Sequence, residues 1–166
     1  MKRAACANGV ITVDEIAQKT PFVAVNLGSH PLPHAPADAL WVRVYYEDTD
    51  FSGRVYHASY LRFLERGRTE WLRRRGFTHR DLAESSGVVF AVRSLQVEYL
   101  APAMMDDLLV VEISAAAVRG ASIDFEQRVL RGDQALVTAS VLAASIRNDR
   151  PARIPADLRR RLQRPV

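Results

Sequence analysis

Tyr45-Tyr46-Glu47-Asp48-Thr49-Asp50-Phe51-Ser52-Gly53-Arg54-Val55-Tyr56-His57-Ala58-Ser59-Tyr60 decides how the chain folds. Upstream, Trp41 to Glu47 alternates, with Val42, Val44 and Tyr46 on one face and Arg43, Tyr45 and Glu47 on the other, which predicts a half-buried strand. Asp48 to Gly53 is a turn by composition. A helix opens at His57 or Ala58. Asp50 and His57 therefore sit at the two ends of a short loop, with the helix N-terminus pointing into it. An acid, an imidazole and oriented backbone N–H groups side by side are what acyl-transfer chemistry needs.

The helix is expected to run to Arg75. Tyr60, Leu61, Leu64, Trp71 and Leu72 recur at three- and four-residue spacing, which gives it one apolar face. Gly67 lies on that face. A mid-helix glycine costs about 1 kcal/mol relative to alanine, and its natural use is a close approach to another backbone, as when a helix lies on a sheet. Gly76 is placed to end the helix, and Thr78 to cap a second, short one through Glu84. Four strand-like runs follow: Val88–Leu100, Leu108–Val118, Ser122–Leu130 and Ala135–Ile146. Arg119-Gly120 and Gly132-Asp133 are turn signals between the last three, so these form an antiparallel meander. In Ser122–Leu130 the apolar row Ile123, Phe125, Val129 includes one polar residue, Gln127. Pro155 opens a terminal amphipathic helix ending near Leu162. The fold class is α+β, with a five-stranded antiparallel sheet wrapped around one long helix. Such a sheet has edges that invite pairing with a second copy, so a homodimer or homotetramer is expected.

With 166 residues and a formal net charge of +4, the chain has the ordinary balance of a soluble globular protein. Residues 1–38, with Pro31, Pro33 and Pro36, read as a flexible leader in which Val13–Lys19 could form a short helix; residues 39–166 read as one domain. The positive charge is almost all arginine, the only two lysines being Lys2 and Lys19 in the leader. No arginine or lysine tract is interleaved with aromatics, which argues against nucleic acid. Cys6 is the single cysteine, so no intrachain disulfide or cysteine metal cluster can form. His30, His34, His57 and His79 lack metal-ligand spacing, and no serine elbow or phosphate loop occurs. No apolar run approaches the ~18 residues that cross a bilayer, nor does a signal h-region follow Met-Lys-Arg, so a cytoplasmic protein without a metal or resident cofactor is expected.

Each candidate has a bland reading as well. Glu47, Asp48 and Asp50 all suit a turn. His57 can cap or pack, although its backbone N–H is a free helix-terminal donor whatever the ring does. Glu65, two turns along, could simply pair with Arg62, Arg66 or Arg68. Tyr46, Tyr56 and Tyr60 read as core. Arg93, Arg119 and Arg128 lie in or beside strands, where arginines are usually solvated.

The run Tyr45-Tyr46-Glu47-Asp48-Thr49-Asp50-x-x-Gly53-x-Val55-Tyr56-His57-Ala58-x-Tyr60-Leu61-x-Phe63-x-Glu65-Arg66-x-Arg68-Thr69-Glu70 resembles the signature of hotdog-fold acyl-CoA thioesterases. It is most similar to the Tol-Pal-associated, YbgC-like type, related to 4-hydroxybenzoyl-CoA thioesterase. The similarity continues through Val97-Glu98-Tyr99-x-Ala101-Pro102-Ala103-x-x-Asp106-Asp107 and Arg119-Gly120. It implies the hotdog fold and hydrolysis of acyl-CoA, with a short-chain or aromatic acyl group. Asp50 would be nucleophile or general base, and the helix N-terminus at Tyr56 and His57 would hold the carbonyl oxygen. Glu65 matches the helix carboxylate that another branch uses. Gly53 would lie at the substrate, and Arg93, Arg119 and Arg128 are candidates for the CoA phosphates. Arg54 and Phe51-Ser52 depart from the usual small residues beside the site. Within the same fold the alternatives are an acyl-thioester dehydratase or a non-catalytic module binding acyl-CoA or acyl carrier protein in envelope lipid metabolism.

Overall fold

The structure, a computed structural model, describes residues 38–163. All of the leader except Asp38, with its possible helix and Cys6, lies outside the described residues. Strand β1 (Ala39–Arg43) is followed by a single 3-10 turn, Tyr46–Asp48, and by the long helix α1 (His57–Arg74). A short helix α2 (His79–Ser86) leads into β2 (Val89–Tyr99), β3 (Leu108–Val118), β4 (Ser122–Arg131) and β5 (Gln134–Arg147). A two-residue strand β6 (Arg150–Pro151) and helix α3 (Ala156–Leu162) close the domain.

All pairings are antiparallel, in the order β1-β3-β4-β5-β2, with β6 beside β5. The five expected strands are joined by the β6 stub. The meander of β3, β4 and β5 is as expected, while β2 crosses to the far side of β5 and becomes an edge. The sheet's buried rows, among them Val111, Ile113, Ile123, Phe125, Val137 and Val141, close on Tyr60, Phe63, Leu64, Trp71 and Leu72 of α1 in one apolar core. Gly67 meets the sheet where a close approach is needed. A Cβ there would lie 2.9 Å from Ile113 Cδ1 and 2.9 Å from Val111 Cγ1.

Two polar devices fix α1. At its end the Arg75 guanidinium grips Asp38 through both nitrogens, at 2.8 and 2.9 Å, and lies 3.8 Å over the Trp71 ring. In its middle the buried Gln127 of β4 donates to the Leu64 carbonyl at 3.0 Å and accepts from Arg68 at 2.7 Å. Thr78 caps α2 by accepting from the Asp81 amide.

One expectation is corrected at the start of the domain. The first strand stops at Arg43 rather than continuing to Glu47, and Tyr46 stands 80% exposed instead of sharing the face of Val42 and Val44. The cause is Asp48. Its buried carboxylate accepts from the Tyr45 amide at 3.0 Å, which curls the chain into the turn. Tyr56 is likewise exposed, and of the three tyrosines only Tyr60 belongs to the core.

Candidate active site

The loop between Asp48 and α1 is held by short-range bonds. The Asp50 amide donates to the Arg54 carbonyl and the Gly53 amide to the Asp50 carbonyl, both at 2.9 Å. Gly53 has φ +74, the left-handed conformation that this tight return requires. Thr49 bridges Val55 and Arg54 bridges Met104, so the loop leans on the segment before β3. The Val55 amide donates to the Ala103 carbonyl and the Tyr56 amide to the Asp48 carbonyl. Beneath, the Tyr60 hydroxyl accepts from the Ala103 amide at 2.8 Å, and burial pushes the Tyr60 pKa up.

Asp50 is exposed and heavily bonded on one oxygen. Its Oδ1 accepts from the Ser52 hydroxyl at 2.6 Å and the Ser52 amide at 2.8 Å. These two bonds hold its carboxyl below the usual carboxylate range, aided by Arg54 and His57. The carboxylate is thus ionised at neutral pH. It shares an open hollow with His57, Tyr60 and Tyr99. His57 is the first residue of α1, and no acceptor for its amide or for that of Ala58 is found among the described residues. The His57 carbonyl accepts from the Tyr99 hydroxyl at 3.1 Å, which ties the tip of α1 to the end of β2. The His57 ring stacks obliquely on Tyr56 at 4.4 Å. Asp50 and the first residue of α1 thus line one hollow.

The structure brings together Asp50, Gly53, Tyr56 and His57 and separates them from the other candidates. Glu65 lies two turns down α1, at the rim of another, more enclosed hollow. It accepts from Thr69 at 2.7 Å rather than forming an ion pair, and the Thr69 oxygen is 3.3 Å from His79 Nε2. Arg119 pairs with Asp124 and Arg128 with Glu112. Arg93 is exposed at a bulge in β2. No contact joins any of these three to Asp50 or His57.

Sequence reasoning gave no role to Ser52 or Tyr99. The Asp-x-Ser spacing is itself a signal, since aspartate side chains bond backbone two residues on. Tyr99 carries no such signal, because its role depends on β2 lying beside the tip of α1.

Residues 44–162 match the family model described as the thioesterase-like superfamily. A curated relative from Haemophilus influenzae, named acyl-CoA thioesterase YbgC, is 50% identical over 105 residues, which cover 63% of this chain and 77% of that protein. An Escherichia coli relative, acyl-CoA thioester hydrolase YbgC, is 46% identical over 106 residues, covering 63% and 78%. Among solved structures, one described as a probable thioesterase from Bartonella henselae superposes with a TM-score of 0.68 at 42% identity, over 70% of this chain and 98% of that one.

Proposed function

We infer the chemistry from one premise: the chain belongs to the thioesterase-like superfamily and is an acyl-CoA thioester hydrolase. The reaction takes an acyl-CoA and water to the free acid and CoA thiol. A thioester is already activated, and thiolate leaves readily, so a carboxylate suffices where an ester would demand a stronger nucleophile. In our reading Asp50 attacks the carbonyl carbon or takes the proton from the water that does. The carbonyl oxygen lies against the amides of His57 and Ala58, whose unpaired N–H groups and aligned helix dipole stabilise the developing oxyanion. Ser52 keeps the carboxylate charged and aimed. Arg54 adds positive charge beside it.

The observation that carries this reading is the ionised Asp50 carboxylate sharing one hollow with the unfilled amide end of α1. The hollow is open and bordered by Tyr60, Tyr99 and Leu100, which favours short-chain or aromatic acyl groups. We take the protein to work in the cytoplasm as a homodimer joined through the β2 edge, where Val92, Leu95 and Tyr99 are 51%, 40% and 47% exposed. An acyl carrier protein presents the same thioester arm, so carrier-bound acyl groups belong in the same assay.

The test is thiol release from a panel of acyl-CoAs and acyl carrier proteins, with the assembly's mass measured in parallel. Turnover of short or aromatic acyl-CoAs by a dimer is expected. Release from none of the panel would overturn the assignment of Asp50 and the helix tip as the centre, and a monomeric active species would overturn the β2 interface.

A further inference from the structure

At the end of the domain away from Asp50, the segment from Arg147 to Gln163 holds six arginines against two aspartates, a surplus equal to the +4 of the entire chain. The separation follows from β5. That strand leaves the Asp50 end at Leu136, whose carbonyl accepts from Leu100 and Ala101, and reaches Arg147 eleven residues on, roughly 36 Å along an extended strand. There Arg147 and Arg150 are direct cross-strand partners across a two-residue turn, Asn148-Asp149, in which both residues have positive φ. Like charges directly opposite one another destabilise a strand pair.

None of Arg147, Arg150, Arg153, Arg159 and Arg160 forms an ion pair among the described residues. All five are exposed. The stem of Arg147 runs alongside Gly87, where α2 ends, within 3.5 Å of the place its Cβ would take. Leu158 and Leu162 bury one side of α3, which turns its arginines outward.

The occupant must carry many negative charges and require no pocket. The arginines stand on a hairpin tip and along a short terminal helix. A protein interface relies on a few buried aromatic anchors, and binding of single-stranded nucleic acid on aromatic rings for stacking. Among the described residues the exposed aromatics, Tyr45, Tyr46, Phe51, Tyr56 and Tyr99, all belong to the Asp50 end. What the arginine end does offer is guanidinium forks, which match phosphate oxygens. Beside them an apolar row runs across three strands, with exposed Val89 and Pro151 on either side of Ile146.

We propose that Arg147, Arg150 and Arg153, with the outward arginines of α3, form a phosphate-binding face that seats the protein on an anionic phospholipid surface. The contact is electrostatic, reversible and weakened by salt. It leaves that protomer's own Asp50 end turned away from the bilayer.

The full chain is to be sedimented with vesicles of phosphatidylcholine alone and of phosphatidylcholine mixed with phosphatidylglycerol, at low and high salt, and mixed separately with duplex DNA. Binding to the phosphatidylglycerol vesicles only, released by salt, is expected. The double variant Arg147→Gln/Arg150→Gln should lower the partition coefficient roughly thirtyfold, about fivefold for each charge near an anionic leaflet. Its melting temperature should equal or exceed that of the unaltered chain, because the repulsive pair is gone. The proposal is overturned by equal binding to both vesicle types, by undiminished binding of the double variant, or by binding to DNA in place of vesicles.

Discussion

Replacing Gln127 with leucine would test the clamp that sets α1, and with it the helix tip at His57, against the sheet. Gln127 is 1% exposed and sits in the row of β4 otherwise filled by Ile123, Phe125 and Val129. Leucine nearly conserves the volume and gains about 1–2 kcal/mol of apolar transfer. Against this, the bond from the Arg68 guanidinium at 2.7 Å is a charged one, with a contribution of about 1.5–3 kcal/mol. The bond to the Leu64 carbonyl at 3.0 Å contributes at the low end of about 0.5–1.5 kcal/mol, since that carbonyl keeps its place in the helix ladder. The loss leaves Arg68 half-buried, where burial already pushes its pKa down. The balance is a destabilisation of about 1 kcal/mol, or roughly 2–4 °C in Tm for a domain of this size. Urea unfolding followed by the fluorescence of Trp41 and the buried Trp71 would measure it, with an unchanged slope as the mark of a native-state effect. The double variant Arg68→Met/Gln127→Leu should recover most of the loss, because an apolar replacement of the whole pair leaves no orphaned charge. A Gln127→Leu protein within about 0.5 kcal/mol of the original, or a double variant no better than the single one, would refute this account of the clamp.

Ser52→Ala removes the largest influence lowering the Asp50 pKa, so that pKa should rise toward the ordinary carboxylate value. Activity needs the ionised form and is lost as pH falls through the folded-state pKa; the acid limb of the kcat/KM profile should therefore move to higher pH, and an unmoved limb would exclude Asp50 as the titrating group. Gly67→Ala gains about 1 kcal/mol of helix propensity but drives a methyl against Val111 and Ile113, a cost of about 1–3 kcal/mol. Denaturant titration should show a net loss near 1 kcal/mol, and a stabilised variant would contradict the close approach. Tyr60→Phe leaves the buried Ala103 amide without its acceptor, at about 1–3 kcal/mol. Thermal melting should register that cost, and kcat/KM should fall with it, since the Ala103 carbonyl braces Val55 in the catalytic loop.

The elements were legible where the apolar period matched the structure over many residues. The α1 pattern from Tyr60 to Leu72 and the full Leu108–Val118 strand are examples. Gly67 and Gln127 were legible as departures from their rows, and each marks a place where α1 touches the sheet. The error at Tyr46 arose because alternation alone cannot register that one later carboxylate, Asp48, turns inward and bends the chain. Tyr56 reads as core because its type is apolar, yet its amide donates to the Asp48 carbonyl while its ring faces out. Asp50 and His57 fall together in the sequence because only six residues separate them. The crossing of β2 to the far side of β5, and hence the bond from Tyr99 to the His57 carbonyl, depends on long-range pairing that no local pattern carries.

Free-thiol release by Asp50→Asn, compared with Glu65→Gln under the same conditions, tests the central claim most directly. With both variants melting like the original protein, Asp50→Asn should lose about a hundredfold or more in kcat/KM, and Glu65→Gln should keep most of it. An active Asp50→Asn enzyme, or one silenced instead by Glu65→Gln, would contradict the assignment of the chemistry to the loop facing the tip of α1.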